Sequence, residues 1–112
     1  MTARFDINTR NDGSFGFVLK SANGQVILAS QGYATKAACQ AGIQSVRVHA
    51  SAASNFSSLT AKNGSPYFTL VAGNKQVLGQ SQMYGSTAAR DNGIRAIMTS
   101  APLAAVMDNT TT

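Results

Sequence analysis

Phe17 and Leu19 stand two residues apart, as do Phe68 and Leu70, and a period of two places each pair on one face of a strand. Behind Thr35 the apolar and small residues change period. Ala38, Gly42, Ile43, Val46 and Ala50 recur at helical spacing, and Ala89, Gly93, Ile94, Ile97 and Ala101 repeat that stripe behind Ser86. Thr35 and Ser86 are the expected N-caps, because a hydroxyl before the first helical residue accepts a hydrogen bond from the free N–H groups of the first turn. The strands are expected at Phe5–Thr9, Phe15–Lys20 and Gln25–Ser30, and again at Phe56–Thr60, Tyr67–Val71 and Gln76–Ser81.

These two sets are one pattern seen twice. Sliding the chain by 51 residues aligns residues 5–50 with 56–101 without a gap, and 17 of the 46 positions are identical. Chance at ordinary composition gives about three. The sequence is therefore read as an internal duplication, with repeats 4–54 and 55–105 in a single domain spanning 1–112 and residues 106–112 as a terminal strand or tail. A second shift by 51 lays Val106-Met107-Asp108 over Asn55-Phe56-Ser57 and Arg4-Phe5-Asp6, so the tail reads as a truncated third copy of strand one that crosses to the partner unit.

Short turns join the strands. Asn11-Asp12-Gly13-Ser14 and Lys62-Asn63-Gly64-Ser65 carry Asp-Gly and Asn-Gly, which predict type I′ hairpins. Ala22-Asn23-Gly24 and Gly73-Asn74-Lys75 follow, and in the latter Asn74 is the residue expected to take the left-handed conformation. The fold class is α+β: two tandem β-β-β-α(-β) repeats forming one antiparallel sheet, with two helices packed on it and pseudo-twofold symmetry. A glycine inside a helix costs about 1 kcal/mol against alanine. Gly42 and Gly93 both stand on the apolar stripe, so close approach of helix to sheet is expected there.

The spread of these residues resembles a family. Phe5, Phe17-Val18-Leu19-Lys20, Asn23-Gly24-Gln25-Val26-Ile27, Ser30, Gly32-Tyr33, Lys36 and Gly42-Ile43-Gln44-Ser45-Val46 look like the YegP-like family of uncharacterised bacterial proteins, and Asn74, Gln76-Val77, Ser81-Gln82-Met83-Tyr84 and Gly93-Ile94 repeat the pattern. The resemblance implies β3-α-β units, in tandem or as two subunits, sharing one sheet. It implies no activity, so no functional residue is carried over. Pro66, Lys75 and Gly79 depart from the pattern and are expected to loosen the second unit's hairpins without changing the fold.

Composition narrows the chemistry. There are nine Lys and Arg, four Asp, no Glu, one His and one Cys, for a net charge of +5. No apolar run reaches the length of a signal peptide or a membrane span, so the chain is read as cytoplasmic. One Cys and one His do not fill a tetrahedral metal set, and neither a phosphate loop nor a catalytic constellation is present, so no cofactor, no metal and no enzymatic activity are expected. Cys39 is read as a structural thiol and His49 as a residue at a helix C-terminus. The basic residues are never adjacent, and the first reading of their charge is solubility.

Two signals point outward. Phe15-Gly16-Phe17-Val18 is reminiscent of an RNA-recognition strand but lacks its basic and aromatic neighbours, so core packing is the first reading. The other is Ser-Gln-x-Tyr, at Ser30, Gln31 and Tyr33 and again at Ser81, Gln82 and Tyr84, between strand three and a helix N-terminus. With Lys36 it makes a candidate ligand-binding set, and a fold-determined turn is its structural reading. Three functions follow: a non-enzymatic interaction module, read first; a weak non-specific nucleic-acid binder; and a small-molecule or anion binder at the strand-to-helix turns. A duplicated unit already contains its partner, so a monomer with an internal pseudo-dimer is expected.

Overall fold

A computed structural model describes residues 3–110; the end of the expected tail, Thr111 and Thr112, lies outside the described residues. The first repeat runs β1 (Arg4–Thr9), β2 (Phe15–Lys20), β3 (Val26–Ala29) and α1 (Lys36–His49). The second runs β4 (Phe56–Thr60), β5 (Pro66–Val71), β6 (Val77–Gln80) and α2 (Thr87–Ser100), and β7 (Ala105–Asp108) closes the chain. All seven strands form one sheet in the order β4-β5-β6-β3-β2-β1-β7. Each repeat is the expected antiparallel meander, and the two join where Ala29 of β3 pairs with Gln80 of β6. The tail makes the sheet mixed, because β7 runs parallel to β1, with Phe5 opposite Val106.

The four hairpin loops share one geometry, and it is not type I′. The N–H groups of Gly13, Gly24, Gly64 and Lys75 donate to the carbonyls of Arg10, Ser21, Ala61 and Ala72, closing four-residue turns. Among the described residues only those four donors have positive φ; Asp12, Asn23, Asn63 and Asn74 do not. Each loop is therefore a type I turn followed by one left-handed residue. The Asp or Asn oxygen accepts the N–H two residues on, at 3.0–3.2 Å, and holds the turn from the side. Lys75, at φ 69, takes the strained position expected of Asn74. A side chain there costs roughly 1–2 kcal/mol, and glycine returns part of that through backbone entropy. Lys75→Gly should stabilise the domain by about 0.5–1 kcal/mol and raise Tm by roughly 3–5 °C. An unchanged or lower melting temperature by calorimetry would count against it.

The helices cap as expected: Thr35 Oγ1 accepts from the Ala38 N–H and Ser86 Oγ from the Ala89 N–H, both at 3.1 Å. The stripes are less alike. Cys39, Gly42, Ile43, Val46 and Ala50 are buried in the first repeat, with Cys39 in the inward place expected of Ala38, which is exposed. In α2 only Ile97 is fully buried, and Ile94 is half-exposed where Ile43 is covered. Phe5, Phe17, Leu19, Phe68 and Leu70 face the helices to complete the core. The opposite face carries Asp6, which is 2% exposed yet held at 2.9 Å by both Arg4 and Lys20.

Candidate functional site

The repeated Ser-Gln-x-Tyr motif is built into the frame. Ser30 Oγ accepts from the Phe17 N–H at 2.9 Å and donates to the Gln31 carbonyl at 2.8 Å. Ser81 repeats both bonds with Phe68 and Gln82. Each serine thus completes the ladder where strand three ends, and both are nearly inaccessible. The Tyr33 ring stacks on Phe17, centroids 6.2 Å apart, and the Tyr84 ring on Phe68 at 6.1 Å. Burial pushes both phenols above their ordinary pKa.

Those rings explain the helix glycines. A Cβ on Gly42 would lie 2.8 Å from Tyr33 Cζ and 3.2 Å from Phe17 Cε2; on Gly93 it would lie 2.8 Å from Tyr84 Cζ and 3.3 Å from Phe68 Cε2. Motif and glycine are one device, in which the turn's tyrosine is wedged between strand two and the helix. Gln31 and Gln82 are exposed, and Gln82 Oε1 accepts from Gln25 Nε2 across the junction of the repeats. Lys36 ion-pairs with Asp108 at 3.0 Å. Its counterpart in the second repeat is Thr87, so the two turns do not carry equal charge.

The other candidate groups are also placed. Cys39 is fully buried, and desolvation raises its thiol pKa. His49 joins the repeats: its Nδ1 bonds the Ser45 carbonyl at 2.8 Å, and its Nε2 accepts from the Gly73 N–H at 3.2 Å. Among the described residues, no three His, Cys, Asp or Glu side chains lie together as a metal site. Phe17 is 1% exposed, so the aromatic strand is core. No helix among the described residues is long and apolar enough to cross a membrane.

Two features escaped the sequence. The first is the set of contacts that holds β7 beside β1. The Ala104 carbonyl accepts from Arg47 at 2.5 Å, and the Arg47 guanidinium also lies 5.5 Å from the centroid of the Phe5 ring. Val106 borders a groove of about 390 Å³ along α1, lined also by Gln40, Ala41, Ile43 and Gln44. Asn109 N–H reaches the Ile7 carbonyl at 2.9 Å. Asp108 accepts from the Thr110 hydroxyl and N–H and from Lys36, and these bonds hold its pKa down to about 2. A depressed carboxyl stabilises the folded form above its unfolded value of 3.8, and that contribution disappears as pH falls through 2. The carboxyl carbon signal of Asp108 should therefore titrate near 2, with the amide signals of 105–109 undisturbed above pH 4; titration at 3.8 would show that the clamp is not formed.

The second feature is the outer edge of β4. Pseudo-symmetry equates β4 with β1, but among the described residues nothing lies beside β4 as β7 lies beside β1. The Asn109–Ile7 bond shows that Ile7 turns its backbone outward, and Ser58 is its counterpart. In agreement, the N–H and C=O of Phe68, opposite Ser58, are engaged on the other side by Ser81. The Ser58 N–H and C=O therefore face solvent, and Ser58 is exposed where Ile7 is completely buried. Phe56–Thr60 carries neither charge nor proline, the usual guards of an edge.

Comparison with known proteins agrees with this architecture. The model of the family described as "Domain of unknown function (DUF1508)" matches twice in tandem, at residues 11–56 and 61–108. The UPF0339 protein of Shewanella oneidensis is 41% identical over 110 residues, 98% of this chain and all of the relative. The UPF0339 protein YegP of Escherichia coli K12 is 38% identical over the same length, again 98% of this chain and all of the relative. Solution structures agree: that of the Shewanella oneidensis UPF0339 protein superposes with a TM-score of 0.90, covering 96% of this chain and 92% of that one at 41% identity. The Escherichia coli yegP structure, that of a protein of unknown function, gives 0.94 over 100% and 97% at 38% identity. With two matched copies and relatives along nearly its whole length, the chain belongs to the DUF1508 (UPF0339) family in its tandem-repeat, YegP-like form.

Proposed function

We propose that this chain is a non-enzymatic interaction module, a cytoplasmic monomer with an internal pseudo-dimer, that takes up an extended segment of another protein as an eighth strand at the outer edge of β4. The observation that carries this reading is the open edge itself, uncharged and unblocked in a fold that fills the equivalent edge with β7. Strand addition of this kind draws its affinity from main-chain hydrogen bonds and needs no catalytic group.

The distribution of charge favours this over nucleic-acid binding. Arg4 and Lys20 neutralise Asp6 on the open face of the sheet, Lys36 pairs with Asp108, and Arg10 and Arg47 are each turned to a backbone carbonyl. Lys62 and Lys75 sit on separate turns, and Arg90 and Arg95 lie on α2 bonded to Asp91 and Asn92. A continuous basic track is not among these arrangements.

Ser58→Pro tests the reading, because it removes an outward N–H without touching the β4–β5 ladder, and an edge strand tolerates proline there. Immobilised parent protein should retain from native lysate a partner that Ser58→Pro does not. Equal retention by both, with both folded, would overturn the proposal.

A further inference from the structure

The filled edge of the first repeat specifies what the empty edge of the second would hold. After α1 the chain runs on into β4, the first strand of the second repeat. After α2 the chain reaches the corresponding place in the first repeat, which β1 already occupies, and so lies one strand further out as β7. The internal β1–β7 pairing is thus a bound strand whose frame transfers to β4 by the 51-residue shift. Arg4, Phe5, Asp6 and Ile7 face Ala105, Val106, Met107 and Asp108; their counterparts are Asn55, Phe56, Ser57 and Ser58.

The neighbouring helix changes the chemistry at the second seat. Gln40, Ala41, Ile43 and Gln44, which line the groove beside Val106, become Asp91, Asn92, Ile94 and Arg95. Arg47, the clamp on β7, becomes Met98. Ile94 and Met98 both pack on the core yet remain partly exposed, as apolar groups do when the strand that should cover them is missing. Lys36, which pairs with Asp108 of β7, becomes Thr87, so the second seat lacks the cation that holds the tail's carboxylate.

Building on strand uptake at this edge, we propose that the segment bound beside β4 belongs to another protein, runs parallel to β4, places an apolar side chain over Ile94 and Met98, and carries an uncharged residue two positions after that anchor. The internal model is β7 itself, in which the anchor is Val106 and the residue two positions on is Asp108, held there by Lys36.

The experiment is an amide and methyl NMR titration of the full chain with a capped synthetic peptide of residues 103–110, whose own seat beside β1 is occupied by β7. The expected result is saturable shifts at Ser57–Leu59 and at the Ile94 and Met98 methyls, abolished in Ser58→Pro. A peptide with Val106→Asp should lose binding, and one with Asp108→Asn should bind at least as tightly as the parent peptide. Equal binding of all three peptides would overturn the inferred specificity and leave strand uptake standing. Absence of shifts at β4, with a lysate partner still lost in Ser58→Pro, would overturn the inference and not the function. A concentration-dependent dimer of the parent, absent in Ser58→Pro by sedimentation, would assign the edge to a second copy and overturn the inference as well.

Discussion

Gly42→Leu should lower stability by about 2 kcal/mol and Tm by roughly 6–10 °C, although it replaces a poor helix former with a good one. Propensity alone favours leucine by about 1 kcal/mol. Against this stands the Tyr33 ring, whose Cζ would be 2.8 Å from the new Cβ, backed by Phe17. The half-buried Tyr33 ring lies flat against Phe17 and cannot give way toward it, and overpacking of this kind costs about 1–3 kcal/mol. The test is a change of sign. With Tyr33→Ala already in place, Gly42→Ala should become stabilising by up to about 1 kcal/mol, because the propensity term is then opposed only by the 3.2 Å approach of Phe17 Cε2. If Gly42→Ala has the same effect in both backgrounds by urea denaturation, the ring is not what excludes a side chain. Gly93 and Tyr84 should repeat the result.

That pair shows what the sequence made legible and where it stopped. Period and spacing located the strands, the caps and the glycines, because each depends on residues close together in the chain. The alignment even revealed that the tail repeats strand one. The hairpin type was misread because Asp-Gly and Asn-Gly serve two geometries: type I′ needs both residues left-handed, whereas here only the second is, with the Asp or Asn oxygen bonded forward. Tyr33 and Gly42 each stood out, as repeated letters nine residues apart, but their contact is tertiary and periodicity does not report it. The unequal burial of Ile43 and Ile94 lay further out of reach. It arises from connectivity, since a tail of one strand covers one of two equivalent edges. Lys36 reads with the ligand set from its place near a helix N-terminus; its ion pair with Asp108, 72 residues away, is a contact that local spacing does not report.

Gly79→Leu should be among the most damaging single changes in the chain, costing about 3 kcal/mol, and its partner change should rescue it. Gly79 is the counterpart of Leu28, one of the repeat's core positions that the duplication did not keep alike. The two repeats meet at Ala29 and Gln80, so residues 28 and 79 approach each other near the pseudo-twofold axis. A Cβ on Gly79 would lie 2.8 Å from Leu28 Cγ and 3.1 Å from the Ala29 carbonyl oxygen, and that oxygen belongs to the strand that joins the halves. The junction has room for one leucine, not two, so strict symmetry is sterically forbidden there. Leu28→Gly alone would empty the site and cost roughly 3–5 kcal/mol. The double exchange, Leu28→Gly with Gly79→Leu, restores one leucine from the opposite side and should return to within about 1.5 kcal/mol of the parent. Chemical denaturation of the four proteins measures the coupling. Additive losses in the double variant would mean that the leucine's side of the axis matters as much as its volume, and that the halves are not interchangeable at their junction.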